Sequence, residues 1–273
     1  KQITFSITAY VILTVFIIIS ILPILIMIIA AFRPTQELAI NPLSIPTQFT
    51  LENIIDAWNV GHMKKYFINS IIVVIPRVIG VIFLASMAGY AFAKLRFKGS
   101  KFAFFYILFG MMIPLQAIMI PIYYNLQKMG LINSYVALFL PVFGLSMPFG
   151  IFYMRSFFQD MPTELIEAAR IDGAGDIKIF FRIMMPLAVP AITTLLIFEF
   201  MWGWNDFLIP LLTVYDDKYR TLPLGLMYFK SKYTTNYSLV AAGVTISSLP
   251  IIAVYIAFQK TFIQGMTAGA IKG

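Results

Sequence analysis

The 273-residue chain is 60% hydrophobic and only 12% charged, with mean hydropathy +0.87 and net charge +8. A water-soluble domain carries charge at about a quarter of its positions, so this chain has too little polar surface to coat a globule and must be solvated in part by lipid. It has no cysteine and one histidine, His62, which excludes thiol catalysis, disulfides, thiolate-bound metals and a multi-histidine metal site.

A bilayer core of about 30 Å requires roughly 20 apolar residues in helical form. Six segments reach that length: about 7–31, 67–93, 102–122, 135–152, 187–214 and 239–262. Their apolar runs are continuous rather than alternating, so they predict helices and not barrel strands. The expectation is an all-α membrane protein of six spans, forming one transmembrane domain over 1–273. The first run is too long for a signal-peptide core and lacks a small-residue cleavage site, so it reads as a span. After it, Ile54, Ile55 and Trp58 predict a short amphipathic helix over 53–60. The second span holds Arg77 behind Pro76, and the fifth holds Glu199 and Asp206. Prolines 114, 141, 148, 190 and 250 also fall in or near spans, where neighbouring helices or a wet cavity must satisfy the freed carbonyls.

Charge placement gives the orientation. Lys94, Arg96, Lys98 and Lys101 crowd the short loop after the second span, with no acid beside them. With Lys1, the loop before the fifth span and the residues after the sixth, eleven positive charges lie on one side and eight on the other. The dense short loop marks the cytoplasmic side and puts both termini there. Banding of Lys and Arg between apolar runs, instead of along one polar face, argues against nucleic acid as a partner.

The segment 160–186 carries the most information. Pro162 suits a first helical turn, Thr163 to Ile171 are good helix formers, and Gly173 and Gly175 end the helix in a sharp turn. A second amphipathic run, 177–185, leads through Pro186 into the fifth span. Leu165, Ile166 and Ala169 lie on one flank of the first helix, with Glu164 and Glu167 on another. Helices that lie on lipid favour Lys and Arg on their polar face. This loop instead carries Asp160, Glu164, Glu167, Asp172 and Asp176, which fits a protein partner better than an anionic leaflet.

Glu167-Ala168-Ala169, Gly173 four residues later, and Ile183 to Pro186 together resemble the EAA loop of permease subunits in binding-protein-dependent ABC importers. The longer run EAARIDGAGDIKIFFRIMMPLAVPAI is similar to the carbohydrate-uptake class, which includes the inner-membrane subunits of maltose transporters. Asn69-Ser70, Gly150 to Phe152, Trp204 to Phe207 and the ending from Gly265 extend the likeness over nearly the whole chain. The resemblance implies a type I importer permease fold with a cytoplasmic coupling helix, in a bacterial inner membrane. It implies that Glu164, Glu167, Ala168, Ala169, Asp172 and Gly173 dock a cytoplasmic ATPase dimer, and that Ala268, Gly269 and Lys272 in the tail touch it. It further implies a second homologous permease subunit and an extracellular or periplasmic sugar-binding protein. The chain has no GxxxxGK[ST] phosphate loop, so no catalytic residue is assigned, and ATP and magnesium belong to the partner.

Ionisable groups inside spans are functional candidates by default. Arg77, Glu199 and Asp206, with Asn205 and Trp204, are therefore candidates for the substrate path. The polar, tyrosine-rich segment 215–238 is either a solvated loop or a contact for the binding protein. Other readings are a permease for a non-sugar solute such as glycerol phosphate, an amino acid or a polyamine, and an ion-driven secondary transporter. The RIDGA continuation argues against an amino-acid or polyamine importer, and the absence of a clear internal repeat argues against the secondary transporter.

Overall fold

The computed structural model describes residues 2–41, 47–229 and 236–268. Helices dominate, and no strand occurs among the described residues. In chain order they are α1 (Gln2–Ala31), α2 (Thr35–Ile40), α3 (Glu52–Asn59), α4 (Met63–Lys94), α5 (Ser100–Phe109), α6 (Leu115–Lys128), α7 (Tyr135–Asp160), α8 (Glu164–Ile171), α9 (Asp176–Ile179), α10 (Met185–Leu187), α11 (Val189–Trp204), α12 (Leu208–Thr213), α13 (Leu222–Gly225) and α14 (Tyr237–Ala268). A π-helical turn, Phe180–Met184, joins α9 to α10.

Four helices cross a membrane by length and composition: Ala9–Ala31, α4, α7 and Tyr237–Ile263. Two bent pairs reach the same length and apolarity together, each a broken span or a re-entrant loop. Ser100–Met112 meets Leu115–Lys128 at 97°, and Asp176–Leu187 meets Val189–Trp204 at 76°. The third segment, expected over 102–122 with Pro114 inside it, is therefore broken at that proline. Pro114 forces the residue before it out of the helical region, and Ile113 is extended at φ −87°, ψ 113°. The expected fifth span over 187–214 is also interrupted, with α11 ending at Trp204 and the helix resuming at Leu208. At its other end Pro190 has no N–H to give the Pro186 carbonyl, which opens the bend beside Ala188.

The chain divides into two compact units, where the sequence reads as one domain. The larger comprises Ile68–Leu224 and Pro250–Gly273. Its core is built from α4, α5, α7, α8 and the run from α9 into α11. Val81, Ala85 and Tyr90 meet Ile151, Met154 and Phe158, and Ile166, Phe180 and Leu195 close the cluster. On α4 the buried positions 73, 74, 77, 78, 81 and 85 follow the helical period. Helices α4 and α7 pack closely because Gly150 lacks a side chain: a β-carbon there would stand 2.9 Å from Ala85 Cβ.

A second tie in this unit holds the segment after α12. Asn69 Nδ2 donates to the Lys218 and Arg220 carbonyls at 2.9 and 2.8 Å, while Asn69 Oδ1 accepts from Tyr135 Oη at 2.7 Å. Ser70 Oγ accepts the Leu222 N–H, and Asn133 Oδ1 accepts the N–H groups of Tyr215 and Asp216. Leu222 and Leu224 are buried, so the end of this stretch is anchored, while Tyr215, Asp216 and Lys218 stay exposed.

The smaller unit comprises Lys1–Phe67 and Gly225–Leu249. Buried Asn53 donates to the Ala31 and Arg33 carbonyls at 3.1 and 2.7 Å and so caps the end of α1. The short amphipathic helix expected over 53–60 is α3; its buried positions are Asn53 and Ala57, Ile54 and Trp58 are half-buried, and Ile55 is exposed. The Glu37 carboxylate is held below its ordinary pKa, chiefly by the Thr47 N–H and then by the Thr47 hydroxyl and Arg33. His62 is exposed, at φ 57°, with its ring edge-on to Tyr228.

Candidate functional site

Two places in the larger unit gather the residues singled out by sequence, and they differ in character. The first is α8 with its flanking turns. Helix α7 continues to Asp160, and α8 follows after Met161 and Pro162. The N-cap is Thr163, which makes no side-chain cap. At the other end Gly173 N–H donates to Arg170 O and Ala174 N–H to Ala169 O, at 3.0 and 2.9 Å. This pair of bonds is a Schellman closure, and it requires the left-handed φ of +76° that Gly173 adopts. Gly175 has φ −75° and caps α9 without left-handed geometry.

Helix α8 is rooted by Ile166 and Ala169, which enter the core beside Tyr90, Phe158 and Phe180. Glu164, Glu167, Ala168, Asp172 and Gly173 are exposed. Leu165 is also exposed, at 40%, so it does not share the inward flank assigned to it. Ala169 faces inward and seats the helix instead of presenting a surface. Sequence reasoning missed two neighbours, Ile171 and Ile177, which stand 87% and 77% exposed on either side of the Gly173 turn. Apolar residues so bare beside exposed acids form a mixed surface of the kind partners cover. Arg170 reaches across the turn to Asp176 at 2.8 Å. That hydrogen bond pushes the Arg170 pKa further above its ordinary value.

The second place is the buried charge network. Arg77 Nη2 on α4 donates to Glu199 Oε2 on α11 at 2.8 Å and to Ser146 Oγ on α7 at 2.7 Å. Arg77 is 3% exposed and Glu199 is 0%, so one guanidinium cross-links three helices away from solvent. Gly203 makes room for it, because any β-carbon there would collide with Arg77 Nη1. Trp204 is buried and stacked on Phe200 at 5.3 Å. Asn205 is exposed but its amide donates to its own helix, to Met201 O at 2.9 Å. Asp206 sits in the break and its carboxylate accepts the Ile209 N–H, starting α12. The five candidates therefore do not line one surface. Arg77, Glu199 and Trp204 face inward, and Asn205 and Asp206 mark the broken helix. Trp202, 48% exposed, is stacked on Phe198 at 5.7 Å and edge-on to Phe149 at 5.0 Å.

Of the tail residues, Ala268 ends α14, while Gly269 and Lys272 lie outside the described residues, as does most of 230–236. Among the described residues no group of three His, Asp or Glu side chains is placed to hold a metal ion.

A bundle of apolar helices broken at prolines, cross-linked by a buried ion pair and carrying an acidic helix outside the spans, defines a polytopic membrane protein of the permease kind. Residues 81–268 match the family described as binding-protein-dependent transport system inner membrane component, and the chain belongs to that family. It is 36% identical over 251 residues to the probable ABC transporter permease protein YurM of Bacillus subtilis, covering 92% of this chain and 83% of that one. It is 37% identical over 259 residues to the arabinooligosaccharides transport system permease protein AraQ of Halalkalibacterium halodurans, with 93% and 92% covered. The diacetylchitobiose uptake system permease protein NgcG of Streptomyces coelicolor is 32% identical over 270 residues, with 98% and 89% covered. In structure the chain is similar to a bacterial ABC transporter involved in import of the acidic polysaccharide alginate, with TM-score 0.81 and 22% identity over 95% of this chain and 96% of that one. The type I importer fold follows, and family membership sets aside the ion-driven secondary transporter.

Proposed function

We propose that this chain forms half of the translocation pathway of an importer for a sugar or oligosaccharide, and that a separate cytoplasmic ATPase dimer drives it through α8. The relatives named for arabino-oligosaccharide and diacetylchitobiose uptake support the substrate class. One observation carries the coupling role. Helix α8 is bolted to the core by Ile166 and Ala169 while presenting Glu164, Glu167 and the bare Ile171 and Ile177 outward. A push on that surface reaches α11 through the π turn and the 76° bend. In this reading Glu167 pairs with a basic group on the ATPase, Ala168 allows close approach and Gly173 sets the turn. The partners are a second homologous permease, the ATPase dimer with its ATP and magnesium, and an external sugar-binding protein. The chain lies in the inner membrane with both termini cytoplasmic. Asn205 and Asp206, at the helix break, are the path residues in this reading, and Arg77 and Glu199 brace the bundle around it.

The test is uptake of a labelled oligosaccharide panel by cells carrying Glu167→Lys or Gly173→Asp. Reversing a paired interface charge is expected to lower uptake about tenfold or more, with membrane levels unchanged and ATPase activity no longer stimulated by sugar. Normal uptake and stimulation in both variants would remove α8 from the coupling path.

A further inference from the structure

A cavity of about 780 Å³ opens at the start of α5, next to the turn between α4 and α5. Its lining includes Arg96, Lys98, Lys101 and Arg155, together with Phe104 and Phe105, and no acid. None of the four cations is ion-paired to an acid among the described residues. The Arg155 guanidinium lies 4.0 Å over the Phe104 ring, and its Nε is buried without a hydrogen-bond partner. The neighbouring Lys94 is different, since its Nζ donates to Met161 O at 2.6 Å. Four like charges around one cavity repel one another, and an anion seated among them relieves that repulsion.

We propose that this cavity binds the phosphate of an anionic phospholipid, whose acyl chains run along α5. The shared chemistry is a phosphate oxyanion, and the helix decides between a lipid and a free ion. Phe102, Tyr106 and Phe109 are 78%, 71% and 64% exposed. At spacings of four and three they form one stripe leading away from the cavity. A free phosphate has no use for that stripe, whereas an acyl chain lies along it. Basic pockets between membrane helices hold lipid headgroups by this combination of charge and apolar wall. The Lys94 bond to Met161 also places the cavity beside the segment that leads into α8, so the lipid would sit against the root of the acidic helix.

The experiment uses the full chain purified with its co-purifying subunits, delipidated, and titrated by native mass spectrometry with phosphatidylglycerol, phosphatidylcholine or inorganic phosphate. The proposal expects phosphatidylglycerol to be retained at one tight site, phosphatidylcholine to bind weakly, and excess inorganic phosphate to displace little. The double variant Lys98→Gln, Lys101→Gln, made at the cavity rim, is expected to weaken that tight site about 30-fold, from the loss of two headgroup cations. Arg155→Gln tests the buried donor, and a thermal-unfolding trace separates lost binding from lost folding. Equal retention of both lipids, unchanged affinity in the double variant, or displacement by inorganic phosphate would each overturn the lipid site.

Discussion

Glu167 and Glu199 are the same residue type in helical segments of the same unit, and the structure treats them in opposite ways. Glu199 is fully buried and bonded to Arg77, while Glu167 stands exposed on α8. Burying a carboxylate is expensive unless a partner offsets the loss of water, so Glu199 is tied to its site by necessity. Glu167 gains little from its own chain and is free to serve another. A charge locked inside is committed to one arrangement of helices, whereas a charge left outside is available to a partner.

That contrast can be broken most forcefully at the buried end. Arg77→Met should cost about 3–5 kcal/mol by stranding Glu199 without a partner, read as loss of detergent-stable protein. Adding Glu199→Leu should restore most of the loss, since a well-packed apolar pair replaces a buried ion pair at little cost. If the double variant is no better than the single one, Arg77 acts through something other than Glu199. A smaller effect is expected at the turn. Gly173→Ala meets open space but must hold φ +76°, which costs about 1 kcal/mol and should lower the melting temperature slightly while uptake persists. The smallest belongs to the exposed pair: Asp176→Asn removes the Arg170 contact, both side chains being about half exposed. It should change stability by under about 1 kcal/mol and fade further in high salt.

The spans were legible because an unbroken apolar run of bilayer length suits a lipid interior and little else. The acidic helix was legible because Pro162 and Gly173 punctuate it. Its inward face was only half legible: Ile166 and Ala169 are three apart and turn in together, while Leu165, about 40° from Ala169 but about 100° from Ile166, lies at the edge of that face and is 40% exposed. The breaks were announced by Pro114 and Pro190, but a proline permits a bend without setting its angle. The pairing of Arg77 with Glu199 joins residues 122 positions apart, and nothing local in either segment points to the other. The role of Asn69-Ser70 was likewise hidden, because their partners are mostly main-chain groups, whose positions no sequence pattern displays. The basic loop after α4 was legible as charge, but the cavity it helps to line depends on Arg155 from another helix.

Those main-chain partners bear on how the protein can diverge. Asn69 grips the carbonyls of Lys218 and Arg220, not their side chains, and Ser70 and Asn133 likewise take backbone N–H groups. The path of residues 215–222 is therefore written largely in α4 and in the turn before α7, with Asp216 adding a cap on the Lys218 N–H and Tyr219 packing edge-on against Tyr135. The side chains of Lys218 and Arg220 can change while the main-chain grip of Asn69 on their carbonyls stays. The fold thus separates the freedom to change an outer surface from the obligation to keep its frame.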